Sequence, residues 1–62
     1  MDTNIKLMTL RIQRGLKQWQ LANQLGIHES EYSKIERGRK MPNRELRVKI
    51  ANKLGVESEV IF

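Results

Sequence analysis

The chain has 62 residues, no cysteine, one histidine and a formal net charge of +5. A chain this short forms one small domain with a thin core, and without thiolates it has neither disulfides nor the usual ligands of a zinc site, so we expect no metal or other cofactor. The basic charge favours a polyanionic partner, while the lack of an apolar run near the roughly 20 residues that span a bilayer indicates no membrane segment and a cytoplasmic location.

Glycines divide the sequence into helical segments. Residues 4–14 place Leu7 and Leu10 on one face and stop at Gly15, a residue free to adopt the positive φ that closes many helices. A second, short helix is predicted over residues 17–25 by the same spacing, and it also stops at a glycine.

The third helix is predicted over residues 29–37, with Tyr32 and Ile35 facing inward. Because Gly26 allows a sharp turn before it, this helix projects while the second helix braces it. Its outward face is polar and partly basic. That face carries Ser30, Ser33, Lys34 and Arg37.

The last part of the chain predicts a fourth helix and a short final turn. Asn43 is the candidate cap of the fourth helix, which stops at Gly55. Ser58 is the candidate cap of the final turn, in which Ile61 and Phe62 close the core. The sequence has no strand-like alternation and no repeat. The predicted fold class is therefore all-α, a compact domain of four to five helices.

Most of the positive charge lies between Lys34 and Lys53, which we call the basic segment. It contains eight basic residues and two acidic ones, a net charge of +6, whereas the rest of the chain is close to neutral. Two interpretations are open. The segment is either a solvated basic surface, which is common in small proteins, or a face that binds phosphate.

The stretch GLKQWQLANQLGIHESEYSKIERGRKMP, residues 15–42, resembles the helix-turn-helix of the phage repressor and Cro-like (XRE-type) DNA-binding family. The matching residues are Gly15, Leu16, Gln18, Leu21, Ala22, Leu25, Gly26, Ile27, Ser30, Ser33, Ile35, Glu36, Gly38 and Pro42. The flanking segments fit the family's other helices, so the resemblance covers nearly the whole chain. It implies a lambda-repressor-like domain over residues 1–62, with a positioning helix at about 17–25 and a recognition helix at about 29–37.

The resemblance also implies roles for single residues. Gln18 stands where family members bond the DNA backbone, although a side chain at a helix start also bonds its own backbone. Arg39 and Lys40 stand where relatives contact phosphate, and idle surface charge is their alternative. Glu29, Ser30 and Lys34 stand at the family's base-reading positions on the recognition helix. The full candidate set is Gln18, His28, Glu29, Ser30, Ser33, Lys34, Arg37, Arg39 and Lys40.

The sequence matches a further feature of the family and departs from another. Arg11 and Glu36 resemble the family's ion pair between the first and third helices, which has a structural role. His28 stands where relatives have a capping Ser or Thr, so we expect a weaker cap on the recognition helix. A lone histidine in this position is interpreted as a poor cap or a phosphate neighbour and not as a catalyst.

Glu29 and Glu31 place acid at the start of the recognition helix. Acids there complement the partial positive charge of a helix N-terminus. A carboxylate also accepts a hydrogen bond from cytosine N4 and repels phosphate, which would trade affinity for specificity. Both interpretations are open for Glu29, whereas the helix-dipole interpretation is favoured for Glu31, which points off the exposed face.

The first helix carries a second apolar stripe where relatives often have charges. This helix-one stripe consists of Ile5, Met8 and Ile12. One interpretation is that the tail from Val56 to Phe62 folds against the stripe. The other is a homodimer face, because two-fold symmetry doubles a short DNA half-site. Trp19 and Val48 are ambiguous in the same way.

These features predict a sequence-specific DNA-binding transcriptional regulator, bacterial or phage-encoded, that reads the major groove of double-stranded DNA as a dimer on a two-fold site. The alternative is an antitoxin-like or other protein-binding helix-turn-helix module with weak or no specific DNA binding. An enzyme is not expected, because the chain has no plausible pairing of nucleophile and base, no phosphate-binding loop and little room for a pocket.

Overall fold

The computed structural model of the chain describes residues 3–62, and this part of the chain folds as five α-helices without a strand. The helices are α1 Ile5–Gln13, α2 Gln18–Leu25, α3 Glu29–Glu36, α4 Arg44–Leu54 and α5 Ser58–Ile61. The all-α prediction is confirmed, and each predicted helix lies within one or two residues of its expected bounds.

Four of the helices end at the glycines that the sequence singled out, each with φ between 70° and 76°. At Gly26 the φ of 75° requires glycine, because this left-handed region crowds a Cβ against the backbone. The N–H of Ile27 then donates to the carbonyl of Ala22 at 3.1 Å and closes a Schellman motif. At each of the other three glycines, the N–H of the following residue makes the equivalent hydrogen bond to the carbonyl five residues before it.

Asparagine caps two of the helices. The side-chain oxygen of Asn43 accepts the N–H of the residue three positions on at 2.9 Å, as predicted, and Asn4 caps α1 in the same way at 3.0 Å. The predicted cap of the final turn is wrong by one residue. Glu57 is the N-cap of α5, and Ser58 is its first helical residue.

The core is built from side chains of all five helices, each at most 6% exposed. They are Leu7, Leu21, Ala22, Leu25, Tyr32, Ile35, Ile50, Ala51, Leu54 and Ile61. The predicted inward positions of α3 are therefore confirmed. The tail closes the core as expected, because Ile61 is buried and Phe62 packs against it. Burial of each large apolar side chain contributes about 1.5–3 kcal/mol.

Arg11 and Glu36 form a bidentate ion pair between α1 and α3. Nε and Nη2 of Arg11 donate to the two carboxylate oxygens of Glu36, both at 2.9 Å. The third arm of the guanidinium, Nη1, donates to the carbonyl of Leu16 at 2.7 Å, in the turn before α2. Glu36 is only 2% exposed. The hydrogen bond that Arg11 donates to Glu36 raises the pKa of Arg11 more than burial lowers it.

The Tyr32 hydroxyl is buried beside this ion pair. Burial raises the pKa of the Tyr32 phenol, and the neighbouring Glu36 carboxylate raises it further. The hydroxyl nevertheless makes no hydrogen bond of acceptable distance and angle within residues 3–62. The influence of Glu36 on Tyr32 is therefore mainly that of a nearby charge.

The tail does not cover the helix-one stripe, so the packing interpretation is wrong for most of it. Ile5 and Ile12 are 57% and 59% exposed, and Val60 of α5 is 45% exposed. The reason is that α5 has only four residues. Its Ile61 points into the core, and one turn of helix presents too little surface to reach along α1.

The buried ion pair leads to a stability prediction. Arg11→Ala leaves the Glu36 carboxylate buried without a cation, which costs about 3–5 kcal/mol. A domain of this length has a free energy of unfolding of roughly 3–9 kcal/mol. We therefore expect Arg11→Ala to lose about a third or more of its stability and to melt roughly 12–40 °C lower when its thermal melt is followed by circular dichroism.

Arg11→Lys is the matched control. It keeps the positive charge and loses only the two-pronged geometry, so it should melt between Arg11→Ala and the original protein. Melting of Arg11→Ala within a few degrees of the original protein would show that the pair contributes no net stability.

Candidate nucleic-acid interface

The candidate interface is the outer surface of α3 and the loop that follows it. Leu21 and Leu25 on α2 and Tyr32 and Ile35 on α3 are buried together in the core. The inner face of α3 is therefore fixed against its neighbours, and the opposite face is directed to solvent.

Ser30, Lys34 and Arg37 are exposed along that opposite face. They follow one another at spacings of four and three residues, so they form one stripe along the helix. This confirms the predicted outward direction of these side chains. Ser33 is half-buried, which leaves it less accessible than its neighbours on the face.

The start of α3 lacks a side-chain cap. His28 is the N-cap residue, is exposed, and makes no capping hydrogen bond. The prediction of a weak cap is confirmed. Glu29 is exposed in the first turn, and Glu31 is half-buried there. Both acids lie where the unpaired N–H groups of the helix start favour negative charge.

Gln18 has a neighbour that the sequence did not predict. It is the first residue of α2 and is half-buried. Its amide Nε2 lies 3.4 Å from Oε2 of Glu36, a long hydrogen bond that joins it to the Arg11–Glu36 pair. An amide nitrogen carries two hydrogens, so one donor of Gln18 stays available to a further acceptor.

Arg39 and Lys40 are both exposed in the loop after α3, but they differ in their contacts. Arg39 makes no ion pair within residues 3–62. Lys40 donates from Nζ to Oε2 of Glu31 at 2.8 Å. Lys40 lowers the pKa of Glu31, with smaller contributions from His28 and Lys34. No pattern in the sequence predicts this pair, because residues nine apart across a loop follow no helical spacing.

The basic segment is divided between structural and free cations. Arg47 donates to the carbonyl of Pro42 at 2.9 Å, and Lys49 donates to the carbonyl of Leu25 at 3.2 Å. Lys49 thereby joins α4 to the C-terminal end of α2, where a cation is favoured. Six further basic residues of the segment are exposed: Lys34, Arg37, Arg39, Lys40, Arg44 and Lys53. Of these, Lys40 is the one that pairs with an acid within residues 3–62.

Within residues 3–62, no helix combines the length and the apolar character that crossing a bilayer requires. The described part of the chain is a helical bundle in which α3 presents a polar outer face and is followed by the exposed basic residues Arg37, Arg39 and Lys40. The class of this protein is defined by three adjoining elements: a short α2, a glycine turn, and an α3 whose outer face is free. It is a helix-turn-helix domain.

Comparison with known proteins identifies the family. The helix-turn-helix family model HTH_3 matches residues 7–61, and the chain belongs to this XRE-type family. Among solved structures, the chain is similar to the clp gene regulator ClgR from Corynebacterium glutamicum, with a TM-score of 0.85 and 26% identity. The match covers 94% of this chain and 62% of that one, so the chain spans less than two thirds of that regulator's length. No significant match was found among curated proteins.

Proposed function

We propose that this chain is a sequence-specific DNA-binding transcriptional regulator. The observation that carries the proposal is the outer face of α3, which is polar, partly basic and exposed while its inner face is locked into the core. A helix presented in this way fits the major groove, where base edges differ in their donors and acceptors. Membership of the helix-turn-helix family and the similarity to a gene regulator support the same role.

The proposed contacts fall into two groups. Base edges are read from α3 by Glu29, Ser30, Ser33 and Lys34. Phosphates are bound around this helix by Gln18, His28, Arg37, Arg39 and Lys40. Arg39 is the strongest phosphate candidate, because it is exposed and has no ion-pair partner within residues 3–62. Such contacts fix the register of the protein on DNA and are independent of sequence.

We propose a homodimer that uses the helix-one stripe. Ile5 and Ile12 are each more than half exposed. A shallow apolar groove at the Ile5 end of the stripe is lined by Ile5, Leu10 and Val60, among others. One domain of this size covers only a short half-site, so a two-fold dimer doubles the sequence that is read. Regulation would follow from occupancy of the DNA, in the cytoplasm of a bacterium or of a phage-infected cell.

A second candidate function is a protein-binding module related to antitoxins. The observation that favours it is exposed apolar surface away from α3. Trp19 is 52% exposed on α2, and Val48 is 42% exposed on α4. Aromatic side chains of this kind often anchor protein interfaces. Such a module would bind its partner through Trp19 or the helix-one stripe, with weak or no specific DNA binding.

Selection of bound duplexes from a random pool separates these functions, and Glu29→Gln makes the experiment sharper. The original protein should enrich one short motif. If Glu29 reads cytosine, Glu29→Gln should lose about 1–3 kcal/mol of discrimination at one base pair while overall affinity rises at low salt. Unchanged preference at every base pair would remove Glu29 from the reading set. No enrichment by the original protein would favour the protein-binding module.

Arg39→Ala tests the phosphate contacts. The substitution should weaken binding to specific and to random duplexes by the same factor. The slope of log K against log salt should become shallower by about 0.9. Fluorescence anisotropy over a salt series measures both effects. Lys6→Ala is the control, because it removes the same charge from α1, outside the basic segment. Equal effects of the two variants would mean that only net charge matters.

Ile12→Asp tests the dimer. Because Ile12 is 59% exposed in the single chain, the substitution should leave the melting temperature of the monomer almost unchanged. We expect a dimer for the original protein and a monomer for Ile12→Asp in sedimentation velocity. Gln13→Asp adds the same charge at a neighbouring exposed position and should remain dimeric. An original protein that sediments as a monomer at high concentration would contradict the proposed dimer.

A further inference from the structure

The ion pair between Glu31 and Lys40 connects the first turn of α3 to the loop that follows this helix. Nζ of Lys40 lies 2.8 Å from Oε2 of Glu31, and the two side chains are 48% and 34% exposed. The pair therefore lies at the edge of the candidate interface, in contact with solvent. It joins a residue of the proposed recognition helix to a residue of the proposed phosphate-binding loop.

Backbone hydrogen bonds place Lys40 at this position independently of the contact that its side chain makes. The N–H groups of Arg39 and Lys40 both donate to the carbonyl of Lys34, at 2.8 and 3.3 Å. These bonds turn the loop back along α3 after Gly38. Replacement of Glu31 should therefore leave the loop in place and change only what the ammonium group of Lys40 is bonded to.

The carboxylate of Glu31 is ionised at neutral pH. Its hydrogen bond from Lys40 lowers the pKa of Glu31, and the charges of Lys40, His28 and Lys34 lower it further. Lys40 is the principal partner among these groups. In the free protein, the positive charge of Lys40 is thus largely compensated by a neighbour within the same chain.

We propose that Glu31 holds Lys40 back from the DNA backbone and so limits the affinity of the protein for DNA of any sequence. The inference rests on the proposed DNA-binding function. For the ammonium group to bind phosphate at full strength, it must give up the carboxylate, since a carboxylate kept beside it would repel the same phosphate. Glu31 therefore reduces the contribution of Lys40 to binding, and its effect is independent of base sequence.

The experiment is a double-mutant cycle on affinity for a random-sequence duplex, with Glu31→Gln and Lys40→Met. If Glu31 restrains Lys40, then Lys40→Met should weaken binding more in the Glu31→Gln background than in the original protein, by roughly two- to fivefold at low salt. The salt slope lost with Lys40 should likewise be larger in that background, approaching about 0.9. Raising the salt concentration should reduce the coupling.

Glu29→Gln provides the matched control. Glu29 lies in the same first turn, carries the same charge and makes no ion pair within residues 3–62. Its effect should therefore add to that of Lys40→Met without coupling. Additive effects of Glu31→Gln and Lys40→Met would overturn the inference, because net charge alone would explain them. Coupling of the opposite sign would also overturn it and would mean that Glu31 positions Lys40 for phosphate.

One measurement is independent of DNA. NMR titration of the Glu31 carboxyl group should show its pKa rising toward the ordinary value in Lys40→Met. No rise would mean that the pair is not formed in solution, and the inference would fail whether or not the protein binds DNA. If the pair is present but the original protein binds no duplex, the proposed function itself is wrong and the inference falls with it.

Discussion

The buried ion pair between Arg11 and Glu36 is the constraint on which the arrangement of this domain depends. Arg11 uses three donors at once, two on Glu36 and one on the carbonyl of Leu16, so α1, α3 and the turn before α2 meet at one side chain. Asn4 adds a second connection, because its N–H donates to the carbonyl of Glu36 at 2.7 Å and its Nδ2 to Ile61 at 3.1 Å. Rotation of α3 about its axis would break these contacts, and so they fix which side chains face outward.

Specific contacts also determine which of the basic residues are free to bind a partner. The two interpretations of the basic segment, solvated surface and phosphate-binding face, each describe part of it. Lys49 and Arg47 bond backbone carbonyls and hold α4 against its neighbours. Glu36, one of the two acids of the segment, is compensated by Arg11 from outside it. Glu36 is therefore not available to oppose the exposed bases around α3, of which Lys40 is paired instead with Glu31.

Local patterns predicted most of the fold, because they reflect local physics. Helix ends follow from glycine and from capping asparagine, and the inner face of α3 follows from the spacing of Tyr32 and Ile35. The Arg11–Glu36 pair was predicted only through family resemblance. The contacts of Gln18 with Glu36 and of Lys40 with Glu31 were not predicted, since they depend on how separate segments fold back on one another. A hydrophobic pattern likewise does not predict how much of α1 a one-turn helix at the end of the chain can cover.

The two acids at the start of α3, Glu29 and Glu31, share one role and differ in their contacts. His28 supplies no capping bond, so the N–H groups of the first turn depend on nearby negative charge for compensation, and both acids provide it. Glu31 is half-buried, and its carboxylate forms an ion pair with Lys40 in the free protein. Glu29 is exposed and has no such partner among the described residues. Of the two acids, Glu29 is therefore the one that we propose for a contact with a base edge, formed deep in the groove, where a carboxylate is farthest from the phosphates that repel it.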